Sequence, residues 1–172
     1  DSCDPGPHRR HPVARMKDTD APLAAVPRAA LVLGLAGVIP FVWGAATEIN
    51  PALFDWGRDV IGARFVGQYL LVFYGTIILS FMSGVLWGFS ARTTGATAAL
   101  GYAVSVVPAL WAFFFVGGGA DRATWFLIAG YLGLLGLDFG FWRVGLAPAW
   151  WMSLRNLLTA LVVACLTMGL LF

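Results

Sequence analysis

FVGQYLLVFYGTIILSFMSGVLWGFSA, residues Phe65–Ala91, contains no acidic or basic side chain. A helix rises ~1.5 Å per residue, so roughly 20 residues cross a hydrocarbon core, and this run is longer than that. Three more uncharged runs surround it, Ala29–Thr47, Thr93–Ala120 and Asn156–Phe172, while Ala123–Trp142 is interrupted only by Asp138. An unpaired backbone group in hydrocarbon costs several kcal/mol, so crossings must be helices or closed barrels. None of these runs shows the period-two alternation of barrel strands. The expected fold class is therefore all-α: a polytopic bundle of five transmembrane helices, with spans at about 29–47, 67–91, 95–117, 123–142 and 154–172.

Composition agrees, with 59% hydrophobic and 12% charged residues and 21 glycines, the residue that lets helices approach closely in lipid. One five-helix domain over residues 28–172 is expected. Residues 1–27 are rich in Pro, Arg, Asp and His without apolar periodicity and read as a disordered tail, with Met16-Lys17 placed as a natural start would be. They do not form a cleavable signal peptide, because the apolar run behind them is long enough to span. The net charge of +2 and the absence of a basic stripe exclude a nucleic-acid surface. Cys3 and Cys165 lie at opposite ends of the chain, which argues against a structural disulfide.

Between the first two spans, residues 51–65 are too polar to cross. Asn50-Pro51 is a helix start, with Asn as cap and Pro at the first position. Leu53, Trp56, Val60, Ile61 and Phe65 then recur at helical spacing, with Asp55, Arg58 and Asp59 opposite them. The pattern predicts a short amphipathic helix in the membrane interface, the alternative being a lid over an outward cavity. Pro40 and Pro108 fall inside the first and third spans and should kink them.

Asp138 is an acid inside a span, and insertion of such a group costs a few kcal/mol. It lies five residues before Arg143, only ~7 Å from that end of its helix, and Arg155 opens the next span on the same side. An ion pair of Asp138 with Arg155 or Arg143 satisfies the charges, while a proton or ion step at Asp138 is the competing functional reading. Gly84-x-x-x-Gly88 and Gly136-x-x-x-Gly140, the latter extended by Gly130 and Gly133, are small-residue patterns. They suit tight packing between the second and fourth spans, or contact with another subunit. Ser80, Ser83 and Ser105 can bond back to their own helices.

The histidines, His8 and His11, lie in the tail, so no span supplies an imidazole to haem, copper or zinc. There is no phosphate loop, HExxH or GxSxG, and Gly117-Gly118-Gly119 is a turn without a preceding strand. No catalytic residue, metal site or prosthetic group is expected in the spans, and the sequence leans away from an enzyme. Membrane lipid or a quinone remains as a bound partner.

Three blocks carry a resemblance: Gly34-Leu35-Ala36-Gly37-Val38-Ile39-Pro40-Phe41, Tyr74 through Gly88, and Trp151-Met152-Ser153-Leu154-Arg155-Asn156-Leu157-Leu158-Thr159. Over about residues 28–172 the chain resembles an uncharacterised five-helix inner-membrane family of proteobacteria that includes the animal mitochondrial transmembrane protein sixty-nine. It departs from the family pattern at Ser83 and Leu86 and keeps Arg155. The resemblance implies a five-helix topology and a bacterial inner-membrane or mitochondrial setting, and no mechanism. Two function classes follow: a non-catalytic accessory or assembly subunit of a larger inner-membrane complex, respiratory or photosynthetic, or a small proton-coupled or solute transporter using Asp138 and Arg155. Partners would be membrane lipids and a heterologous membrane-protein complex.

With the amino terminus inside, the inner segments carry Arg9, Arg10, Arg15, Lys17, Arg28, Arg92, Arg143 and Arg155, against Arg58, Arg64 and Arg122 outside. Basic residues favour the cytoplasmic side, so the amino terminus is expected in and the carboxyl terminus out. Topology-reporter fusions after Arg92 and at Phe172 should therefore report cytoplasmic and outer positions respectively; the same side for both would refute either the span count or the orientation.

Overall fold

The computed structural model describes residues 26–172; residues 1–25 of the expected tail, with Cys3, His8, His11 and Met16, lie outside the described residues. Every regular element among the described residues is helical. The first span is α1 (Arg28–Ala36) continued by α2 (Ile39–Ile49), and α3 (Pro51–Ile61) with a 3₁₀ turn at Ala63–Phe65 leads into α4 (Gly67–Ser90). The third span is α5 (Gly95–Ser105) followed by α6 (Val107–Phe115), the fourth is α7 (Ala120–Arg143) and the fifth α8 (Trp151–Leu171). All five spans are long and apolar enough to cross a membrane, and the chain is a multi-pass membrane protein.

Helix α4 packs against α2, α5, α6, α7 and α8 and so forms the axis of the bundle. Its Leu71, Leu79 and Leu86 are wholly buried, as are Leu127 on α7 and Leu166 on α8. Glycines set the closest approaches. A Cβ on Gly44 would lie 2.8 Å from Leu71, and one on Gly130 would lie 2.8 Å from Leu79 and 2.9 Å from Trp111. Gly75 faces Leu127 and Gly101 faces Ser90 in the same manner.

Both prolines break their spans, and in both cases α4 satisfies a backbone group that the break releases. At the first break Phe41 N–H bonds Val38 O, three residues back, and Tyr74 Oη donates to Gly37 O at 3.1 Å. At the second, Ala109 N–H donates to Ser83 Oγ at 2.9 Å. Ser83 thus serves a neighbouring helix and not its own, unlike Ser80 and Ser105, which donate to Thr76 O and Tyr102 O. The physical reason is the kink: Pro108 prevents the regular helical ladder from continuing, and lipid offers no water in its place.

The start of α4 is capped from the first span. Thr47 Oγ1 accepts from Gly67 N–H at 2.8 Å and Glu48 Oε2 accepts from Gln68 N–H at 2.7 Å. Gly67 has φ +61° in the left-handed region, and a Cβ there would sit 2.6 Å from Glu48 Oε2, so glycine is required. In α3, Asn50 Oδ1 accepts from the N–H groups of Ala52 and Leu53. Trp56, Val60 and Ile61 stand exposed along this helix, while Gly57 turns inward against Val66 and Trp43. An exposed apolar face on a helix too polar to cross suits an anchor in the membrane interface.

Ser83→Ala leaves the part-buried Ala109 N–H without a partner beside Pro108, a loss of about 1 kcal/mol. Thermal unfolding in mild detergent should show that destabilisation, and it should shrink when Pro108→Ala removes the kink. An equal effect with and without Pro108 would mean the hydroxyl does not serve the kink.

Candidate functional site

Asp138 and Arg155 meet between α7 and α8. Asp138 is fully buried, and its Oδ2 accepts from Arg155 Nε at 2.6 Å. Its Oδ1 accepts from Trp151 Nε1 at 2.8 Å. Trp151 and Arg155 are four residues apart on α8, so one face of that helix presents both donors to one carboxylate. Trp151 is itself packed edge-to-face on Phe89 of α4, with ring centroids 5.0 Å apart. Three helices thereby hold the acid in place.

Arg143 takes no part. It ends α7 exposed, and among the described residues it makes no ion pair. Helical geometry explains this: at 3.6 residues per turn, a side chain five positions from Asp138 points roughly 140° away from it around the helix axis. The other ion pairs, Arg58 with Asp55 and with Asp59, lie on the exposed face of α3. At the opposite end of the bundle Gln68 Nε2 donates to Asp121 Oδ1 at 2.9 Å, tying α4 to α7.

Tyr131, about two turns before Asp138 on α7, donates to Gly75 O at 2.9 Å and lies edge-on to Phe41, with centroids 6.3 Å apart. This buried contact between α4 and α7 is not legible in the sequence, because a tyrosine inside a span carries no signal of its partner. The glycine patterns are placed differently from the packing expectation. Gly84, Gly88, Gly133, Gly136 and Gly140 are exposed, with nothing within 4 Å of a Cβ built on them. The α4–α7 approach runs through Gly75 and Gly130 instead, because those are the positions that turn toward the neighbouring helix.

Among the described residues no three His, Cys, Asp or Glu side chains gather as a metal ligand set would. The arrangement is an internally neutralised carboxylate–guanidinium pair with an indole donor, which can fix the register of α7 on α8 and orient the guanidinium.

The model of a family described as a protein of unknown function (DUF3429) matches residues 26–171. The chain belongs to that family. It is 31% identical over 158 residues to Transmembrane protein 69 of Xenopus tropicalis, an alignment that takes in 90% of this chain and 55% of that protein. The chain thus spans about half the length of this relative, so the resemblance drawn from the three sequence blocks holds at the level of the family. No solved structure matches. Within the DUF3429 chain, Arg155 sits in the third of those blocks and is the residue that the ion pair and the fifth span share.

Removing one partner of a buried ion pair leaves the other uncompensated and costs about 3–5 kcal/mol. Asp138→Asn and Arg155→Gln should each lower thermal stability or abundance in the membrane by that order. The double variant should lose clearly less than the sum, by about 1 kcal/mol or more. Strict additivity would mean that the two groups do not interact in the membrane.

Proposed function

We propose that this chain is a non-catalytic accessory or assembly subunit of a larger inner-membrane complex, respiratory or photosynthetic in setting, oriented with its amino terminus inside. The observation that carries this reading is the outward placement of Gly84 and Gly88 on α4 and of Gly133, Gly136 and Gly140 on α7. A glycine in a helix interior is about 1 kcal/mol less favourable than alanine, and on a lipid-facing surface it forfeits contact with the acyl chains as well. Small residues on a membrane helix are useful where a second backbone comes close. Two such stripes on the outside of one bundle suit the apolar helices of another membrane protein.

The transporter reading gains nothing comparable. Asp138 accepts from Arg155 Nε and from Trp151 Nε1, a pairing that a structural role alone accounts for. Gly136→Leu or Gly140→Leu, which add bulk where a Cβ would meet nothing within 4 Å, should release the protein from its complex while it still inserts with the same topology. Size on native separation after gentle solubilisation decides the matter. Migration of the unaltered chain as a monomer or simple homo-oligomer with no heterologous partner, above all with solute or proton movement after reconstitution alone, would overturn the accessory role.

A further inference from the structure

Two buried side-chain polar groups among the described residues lack a hydrogen-bond partner, Arg155 Nη2 and Thr159 Oγ1. They are four residues apart on one face of α8, and both residues line the same cavity, of about 320 Å3. Elsewhere in the bundle buried hydroxyls are tied to the backbone: Thr124 donates to Ala120 O, Ser90 to Leu86 O and Thr47 to Gly44 O. Thr159 Oγ1 makes no such bond. Orphaned buried donors carry a penalty that a ligand acceptor removes, and two on one wall mark a place where an acceptor fits.

The other walls come from α1, α2, α4, α7 and α8 and are apolar, with Val38, Phe41, Met82 and Val162 buried around the interior. Leu33 and Phe81 also line the cavity, and both are strongly exposed on the outer surface of the bundle, so the cavity opens sideways between the first and second spans. Its volume is at the small end of the ~300–1,000 Å3 range of ligand sites. Charge narrows the choice of occupant. Asp138 already compensates the guanidinium, so a neutral acceptor is matched and an anion would leave an uncompensated charge in hydrocarbon. The Tyr131 hydroxyl is engaged with Gly75 O, which leaves the Arg155 and Thr159 donors as the polar determinants.

We infer that this cavity binds a neutral lipid-soluble molecule through a carbonyl oxygen, which accepts from Arg155 Nη2 and Thr159 Oγ1 while its apolar tail passes between Leu33 and Phe81 into the membrane. A quinone ring and the ester carbonyl of a glycerolipid share this chemistry. The position suits either: Arg155 is about one turn, ~6 Å, from the start of α8, close to one end of an apolar span.

The full chain, purified in an alkyl maltoside that has no carbonyl, is titrated with three probes: a short-chain ubiquinone analogue, a short-chain diacyl phosphatidylcholine and dodecane. A saturable rise in thermal midpoint is expected with at least one carbonyl probe and not with dodecane. A response to the quinone alone assigns the site to a quinone, and a response to the phospholipid alone assigns it to a lipid ester. Thr159→Val, which removes the hydroxyl at nearly constant volume, should weaken the productive probe about five-fold, the equivalent of one hydrogen bond, and Thr159→Ser should restore it. Leu33→Trp, at an exposed rim position, should weaken binding by narrowing the mouth and keeps the test open if Thr159→Val does not fold. Saturation by dodecane equal to that by the carbonyl probes, no saturable response to any probe, or unaltered affinity in the folded variants would each overturn the proposal.

Discussion

A backbone group released by a proline inside a bilayer has no water to turn to, and in this bundle the groups that answer that need come from α4. Tyr74 takes the carbonyl of Gly37 and Ser83 takes the amide N–H of Ala109. Helices in lipid are not driven together by hydrophobic burial, since acyl chains are as apolar as leucine. Individual interhelical hydrogen bonds contribute about 0.6–2 kcal/mol, yet they are directional where apolar contact is not. Two of them, placed at the two kinks, fix the height and rotation of the first and third spans against the central helix. The glycines at 44, 75, 101 and 130 then let the backbones come close enough for those bonds to form.

The Asp138–Arg155 pair does for α7 and α8 what the kinks do for the others. A charge brought into a span alone is expensive, so the acid and the base are tolerated because they arrive together and because Trp151 occupies the second carboxylate oxygen. The consequence is rigidity at one end of the bundle. Arg155 is held through Nε, which leaves the far edge of the guanidinium presented from a fixed position beside Thr159. Structural pairing and the proposed ligand site are thus consecutive uses of one side chain.

Length and hydropathy made the five spans legible, and the Asn50-Pro51 start of the interfacial helix was readable from residue types alone. The choice between Arg143 and Arg155 was open in the sequence, although the five-residue offset on a 3.6-residue turn already disfavours Arg143. Less legible was everything that depends on which way a helix is rotated. A small-xxx-small count finds Gly84, Gly88, Gly136 and Gly140 and cannot say that they face outward, whereas Gly44 and Gly75 belong to no such pattern and make close contacts. Ser83 shows the same limit: a serine in a span is read as bonding its own helix, and only the neighbouring proline kink, a feature of another span, creates its partner. Cavity and orphaned donors lie beyond sequence reading altogether, since they arise from five helices at once.

These features share a direction. Polar groups at the two ends of the bundle, Glu48 with Gln68 and Asp138 with Arg155, are each closed on a near neighbour, and wholly buried Leu71, Leu79, Leu127 and Leu134 lie in the core of α4 and α7. Apolar packing therefore separates the two polar clusters along α4 and α7. Two open features face sideways: the glycine stripes of α4 and α7 and the cavity mouth at Leu33 and Phe81. Proteins and lipid-soluble molecules approach from within the plane of the bilayer, so the same lateral geometry that suits an accessory subunit also gives a carbonyl-bearing molecule its route to Arg155 and Thr159.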